Sequence, residues 1–181
     1  MTAPLPVHFT AGATGEWAVQ EVRGVRGPAL PAAPRVAVTE GAPPPAGAWN
    51  LRGVVSSLRY TTAAERAALV AKQQGLGRPA ARHAALIPIR KSAAWWALAQ
   101  DERRAIMEER SRHNAVGMEY LPAVARRLHH CRDLGEPWDF LTWFEYAPED
   151  EAAFDELLAR LRASEEWNWV EAEFEVRLAR A

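Results

Sequence analysis

The side chains best placed to do chemistry begin with five histidines, His8, His83, His113, His129 and His130. His113 stands out by spacing. Ile106 lies two turns before it, and Val116 and Gly117 follow at three and four, which puts an imidazole on the apolar stripe of a helix. Such an imidazole is either a buried neutral core group with a hydrogen-bonded partner or a ligand, and spacing alone favours the first. A metal-ligating histidine would need a carboxylate or carbonyl to receive its second ring N–H. Glu165 and Glu166, in RASEEWNW, are candidate acids in an aromatic setting, the other reading being solvated residues at a helix end.

In VARRLHHCR, strand alternation puts Arg126, Leu128 and His130 on one face and Arg127, His129 and Cys131 on the other. One arginine can therefore point inward as an anion-binding group while its neighbour is solvated, and alternation does not say which. His129 and His130 face apart, so they cannot clamp a metal from one strand. Cys131 is the single cysteine, which excludes an internal disulfide, a zinc ribbon or an iron–sulfur cluster. Eight tryptophans against three tyrosines, with Trp95 and Trp96 adjacent, suit a core, an interface or the wall of a flat pocket.

The elements that must position these residues follow from periodicity. The first fifty residues are loop-rich, with brief strands over 17–22 and 35–39 between Gly and Pro clusters. A strand is expected over 52–60, then an Ala-rich helix capped by Thr61 or Thr62 and ended by Gly75. AALIPIRK reads as a strand that Pro88 places at an edge or a bulge. One long helical region follows, from a cap at Ser92 to Gly117. VARRLHHCR and WDFLTWFEYA read as two hairpin strands, PEDEAAFDELLARLRA as an amphipathic helix and EAEFEVRLA as a strictly alternating strand. Ala172, Phe174, Val176 and Leu178 line one face of that last strand, and Glu171, Glu173, Glu175 and Arg177 the other. Residues 84–181 thus carry the βαββαβ order of a ferredoxin-like unit, and 1–83 form a truncated N-terminal α+β half. Two sheets meeting face to face, within a chain or between chains, would make an α+β barrel, so an oligomer is expected.

A chain of 181 residues with 49% apolar and 25% charged content reads as one globular unit. A net charge of -1 implies neither nucleic acid nor an anionic membrane as partner. No secretory signal or spanning run is recognised, which makes the cytoplasm the default expectation.

The stretches AKQQGLGR, AALIPIRKSAAWW, DERRAIMEERSRHNAVGMEYLPAVARRLHHCRDLGEPWDFLTWFEYAPE and RASEEWNWVEAEFEVRLARA resemble the short, dimeric chlorite dismutases. The likeness runs from about residue 50 to the end. It implies a ferredoxin-like dimeric α+β barrel with antiparallel sheets, bound haem b (iron), a homodimer, and conversion of chlorite to chloride and dioxygen through an iron-oxo species. By the same resemblance His113 is the proximal iron ligand, Glu166 its partner and Arg126 the distal arginine. Gln73 matches a distal glutamine, with Gln74 as the neighbouring alternative. Lys91, Ile87 and Tyr60 match positions lining the haem propionates, and Trp96 a tryptophan beside the haem. Three other readings stand beside it: a coprohaem decarboxylase, which typically carries a neutral amide at the Arg126 position; a non-catalytic haem-binding or ligand-sensing protein; and a haem-free barrel.

Overall fold

A computed structural model of the chain describes residues 4–55 and 60–180. Four strands come first: β1 Pro6–Gly12, β2 Trp17–Arg26, β3 Arg35–Glu40 and β4 Trp49–Val55. Helix α1, Ala63–Lys72, starts on a capping box: the Thr62 hydroxyl receives the Glu65 N–H while the Glu65 carboxylate receives the Thr62 N–H. It stops at Lys72, before the expected Gly75. The rest is β5 His83–Lys91, α2 Ala93–Ala97, α3 Gln100–Arg104, α4 His113–Glu119, β6 Ala125–His130, β7 Phe140–Tyr146, α5 Glu151–Arg162 and β8 Val170–Arg180. The end of the strand expected over 52–60 falls on residues 56–59, outside the described residues.

The eight strands close into one antiparallel barrel in the order β1-β3-β2-β8-β5-β7-β6-β4. Starting from β4, the order is β4-β1-β3-β2 followed by β8-β5-β7-β6, so each run of four strands repeats the ferredoxin-like order 4-1-3-2. One seam is short: β2–β3 pairs only Trp17↔Val36 and Ala18↔Arg35, while among the described residues β4 meets β6 at Val54↔His130 and Val55↔His129. Of the edge or bulge expected from Pro88, strand β5 is not at an edge. It is paired on both sides, and Pro88, with no N–H to give, falls where its ladder with β8 is interrupted between Leu86↔Val176 and Ile89↔Glu173.

Alternation divides the side chains between two cores. Phe9, Trp17, Leu86, Leu141, Trp143, Phe174 and Val176 fill the barrel. Ala85, Ile87, Ile89, Phe144 and Tyr146 point outward and are covered by Val116 of α4 and Phe154, Leu157, Leu158 and Leu161 of α5. The charged face of β8 also lies under α5, where Glu173 and Glu175 are buried and ion-paired to Arg162.

The long helix expected over 92–117 is broken. After α3 comes a π-helical turn, Ala105–Arg110, and Arg112 adopts a left-handed φ of 53° before α4 begins. His113 therefore opens a separate short helix instead of sitting within a continuous stripe.

His129 points into the barrel and meets the edge of Phe9 at 5.1 Å between ring centres. Its Nδ1–H donates to the Leu141 carbonyl at 3.0 Å, and burial pushes its pKa down to about 4. The unfolded chain binds the proton first, so this group's contribution is complete above about pH 6.5 and is lost as pH falls toward 4. The expected loss across that window is about 3 kcal/mol. Urea midpoints at several pH values should fall accordingly, and a His129→Phe variant should show a shallower slope between pH 6.5 and 4.

Candidate functional site

His113 sits on the first turn of α4, where Nδ1 approaches Glu166 Oε2 at 2.6 Å. An ionised carboxylate only accepts, so Nδ1 carries a proton toward Glu166, and Nε2 is the ring nitrogen left to face a metal. Glu166, on the 3-10 turn Glu165–Trp169, is fully buried, and its other oxygen accepts from Lys91 Nζ at 2.7 Å. Its backbone N–H donates to Ser111 Oγ at 2.9 Å. Burial alone would raise the Glu166 pKa. The charges and hydrogen bonds of His113 and Lys91 outweigh it and hold the carboxyl at about 2. The imidazole is held in orientation by the Trp167 ring, stacked at 11° and 6.4 Å.

Lys91 ends β5 with its ammonium buried on Glu166 and over the Trp95 ring, 4.5 Å from the centroid. Trp95 in turn meets Tyr60 edge-on at 6.5 Å. The indole Nε1 of Trp95 is buried and has no hydrogen-bond partner among the described residues, an uncommon state for a tryptophan. Lys91, Glu166, His113, Trp95 and Tyr60 thus form one connected group. Trp96 is aimed elsewhere: its Nε1 donates to Asp139 at 3.1 Å, its ring stacks on Phe140, and Arg132 caps it at 4.2 Å.

Opposite α4, the outward face of the sheet makes a floor of three cross-strand rows: Arg126, Phe144 and Ala85; Leu128, Thr142 and Ile87; His130, Phe140 and Ile89. Arg126 leads the first row. Its guanidinium lies where a Cβ on Gly117 would be, so the bare backbone of α4, one turn beyond His113, makes the space that this side chain fills. Burial lowers the Arg126 pKa. It stays a cation at any ordinary pH, because a guanidinium starts so high. Arg127 faces the other way, into the barrel mouth beside Glu40 at 3.4 Å. Gln73, the C-cap of α1, donates through Nε2 to the Arg126 carbonyl at 3.1 Å, whereas Gln74 is exposed and bound to Arg78.

Three neighbours were not singled out from sequence. Trp95 and Trp167 had no cue beyond tryptophan abundance. Glu108, on the π-helical turn, is buried, and both its oxygens accept the Asn114 N–H at 3.2 Å, which ties down the first turn of α4. Burial raises its pKa. An acid within a predicted helical run offers no local sign of that role.

Among the described residues no three His, Cys, Asp or Glu side chains gather to hold a bare metal ion. His113 is a lone donor, which suits a metal whose other ligands come with it. The partly exposed Leu128 and Thr142 of the floor and the unpartnered Trp95 indole fit a flat macrocycle between α4 and the sheet. No helix among the described residues is long and apolar enough to cross a membrane.

Residues 44–181 match the family model described as chlorite dismutase. A chlorite dismutase from Ideonella dechloratans is 35% identical over 82 residues, 45% of this chain and 27% of the relative, so the chain spans about a quarter of that protein. A dimeric chlorite dismutase from Nitrobacter winogradskyi superposes with a TM-score of 0.91 at 55% identity, covering 96% of this chain and 99% of the other. A variant chlorite dismutase from Candidatus Nitrospira defluvii gives 0.59 at 26% identity, covering 80% and 56%.

Proposed function

The chain belongs to the chlorite dismutase family, and on that premise we propose that it is a haem b-dependent enzyme converting chlorite to chloride and dioxygen, acting as a homodimer. The observation that carries the reading is the pairing of a carboxylate-bound imidazole, His113 on Glu166, with a guanidinium, Arg126, seated against the same helix one turn on. Haem b, when bound, supplies the redox chemistry that breaks the Cl–O bonds of chlorite and forms the O–O bond.

The chain's own residues orient and hold. His113 would hold the haem iron through Nε2, and Glu166 orients the ring by receiving the Nδ1 proton, which would make the imidazole a stronger electron donor. Lys91 neutralises Glu166 in a place closed to water. Arg126 binds the chlorite anion and retains the oxychlorine fragment until the new bond closes, a role that needs a permanent cation. Gln73 steadies the strand at that arginine. Tyr60, Lys91, Ile87 and Trp95 border the slot, and Trp96 closes the far end of its floor on Phe140. The homodimer is supported by the Nitrobacter winogradskyi relative, which this chain matches over nearly its whole length. A single buried thiol, Cys131, suits a cytoplasmic location.

A charged Arg126 favours chlorite chemistry over decarboxylation of a coprohaem, which would be served by a neutral amide there. The test is an oxygen electrode with chlorite and haem-loaded protein. Dioxygen should appear at once, and Arg126→Gln should lower kcat/KM by about a hundredfold. Haem-loaded protein that releases no dioxygen overturns the proposal.

A further inference from the structure

His113 is the first residue of α4, and the residue before it cannot cap that helix. A helix start leaves its first N–H groups without partners in the helix, and a short polar side chain at the cap position ordinarily receives one of them. Here Arg112 holds that position, in the left-handed region and with no side-chain cap bond. A guanidinium has only donors to offer. The first turn of α4 must therefore take its acceptor from elsewhere.

That acceptor is Glu108, on the π-helical turn Ala105–Arg110. Its carboxyl is buried, and both oxygens receive the Asn114 N–H at 3.2 Å. No side-chain cation hydrogen-bonds to it among the described residues, and burial opposes its charge. The segment from Glu108 to Asn114 is also where the His113–Glu166 contact is anchored. The Arg112 N–H returns to the Glu108 carbonyl at 3.0 Å, and Asn114 Nδ2 donates to Thr61 Oγ1 at 3.1 Å. Ser111 Oγ receives the Glu166 N–H at 2.9 Å, three residues after Glu108. Ser111 thus holds the backbone of the glutamate, while Glu108 holds the turn that carries the imidazole. A bond of 2.6 Å between His113 and Glu166 tolerates little drift of either support.

Resting on the reading of His113 as the haem ligand, we propose that Glu108 is a positioning residue for that imidazole. Its reach to the Asn114 N–H, and not its charge, sets how the first turn of α4 presents His113.

Three variants separate reach from charge. Glu108→Gln keeps the reach and an acceptor oxygen without the charge. Glu108→Asp keeps the charge and falls short by about 1.5 Å, and Glu108→Ala keeps neither. Each is loaded with haem, and two quantities are compared with the parent: the ferric electron paramagnetic resonance signal and the rate of haem transfer to excess apomyoglobin. The Asp and Ala variants should show a split or broadened signal and about tenfold faster haem release, the scale of losing an outer partner of a metal ligand. The Gln variant should match the parent in both. Thermal midpoints of the haem-free proteins report folding, and the Gln and Asp variants decide the question if the alanine variant does not fold. An impaired Gln variant, or a signal and release rate unmoved in the Asp and Ala variants whatever their midpoints, would overturn the proposal. A parent protein that gives no Soret band would instead defeat the haem reading. Amide exchange at Asn114 in the haem-free proteins then tests the cap by itself: it should be faster in the Asp and Ala variants than in the Gln variant, and equal rates would overturn it.

Discussion

His113→Ala should abolish stable haem binding, with apparent affinity falling by well over a hundredfold, because the loss of a mere outer partner of a ligand already costs about 10–100-fold. Haem titration followed at the Soret band measures this. Glu166 and Lys91 remain a pair in that variant, so the denaturation midpoint of the haem-free protein should move little. Imidazole added to the solution should restore part of the Soret intensity, because the missing group is one ring. Unchanged haem affinity in the alanine variant would end the assignment of His113 as the ligand.

Glu166→Ala should act in the opposite manner, first on the fold and then on the haem. Removal of the carboxylate leaves the Lys91 ammonium buried with its ion-pair partner gone, and breaking a buried pair from one side costs about 3–5 kcal/mol. Urea denaturation of the haem-free protein should show that loss. The double variant Glu166→Ala with Lys91→Met should recover much of it, since no charge is then stranded. In whatever haem-loaded protein forms, the reduction potential should rise, because His113 no longer donates to an anion. Full stability in the single variant would mean that Lys91 finds another partner.

The contrast between local pattern and long-range closure explains what could be read from the sequence. The alternation of β8 correctly separated Phe174, Val176 and Leu178 from Glu173, Glu175 and Arg177, since two-residue periodicity is a local property. What it could not say is that the charged face would be covered by α5, with both glutamates buried against Arg162. The same limit applied on β6. Alternation put Arg126 and Arg127 on opposite faces, but the inside of the barrel is defined only when β4 meets β6, a pairing between distant parts of the chain. The break before His113 left no sign, because an arginine in the left-handed region is uncommon and Ser111, Arg112 and His113 include neither Gly nor Asn. Of the two adjacent tryptophans, spacing made them equal. Only packing separates Trp95, on the Lys91 ammonium, from Trp96, on Phe140.

Closure of the ring also constrains how copies of the chain can associate. An open sheet presents a row of unpaired N–H and C=O groups that will template another chain, and here every strand has neighbours on both sides. Association must therefore work through side chains, by surface fit and charge, and not by extending the ladder of one molecule into the next. The β2–β3 seam, with only two residue pairs, is the point among the described residues where that protection is thinnest. Heat would first unlatch the barrel there, exposing raw strand edges, so that seam governs resistance to aggregation more than the apolar core does.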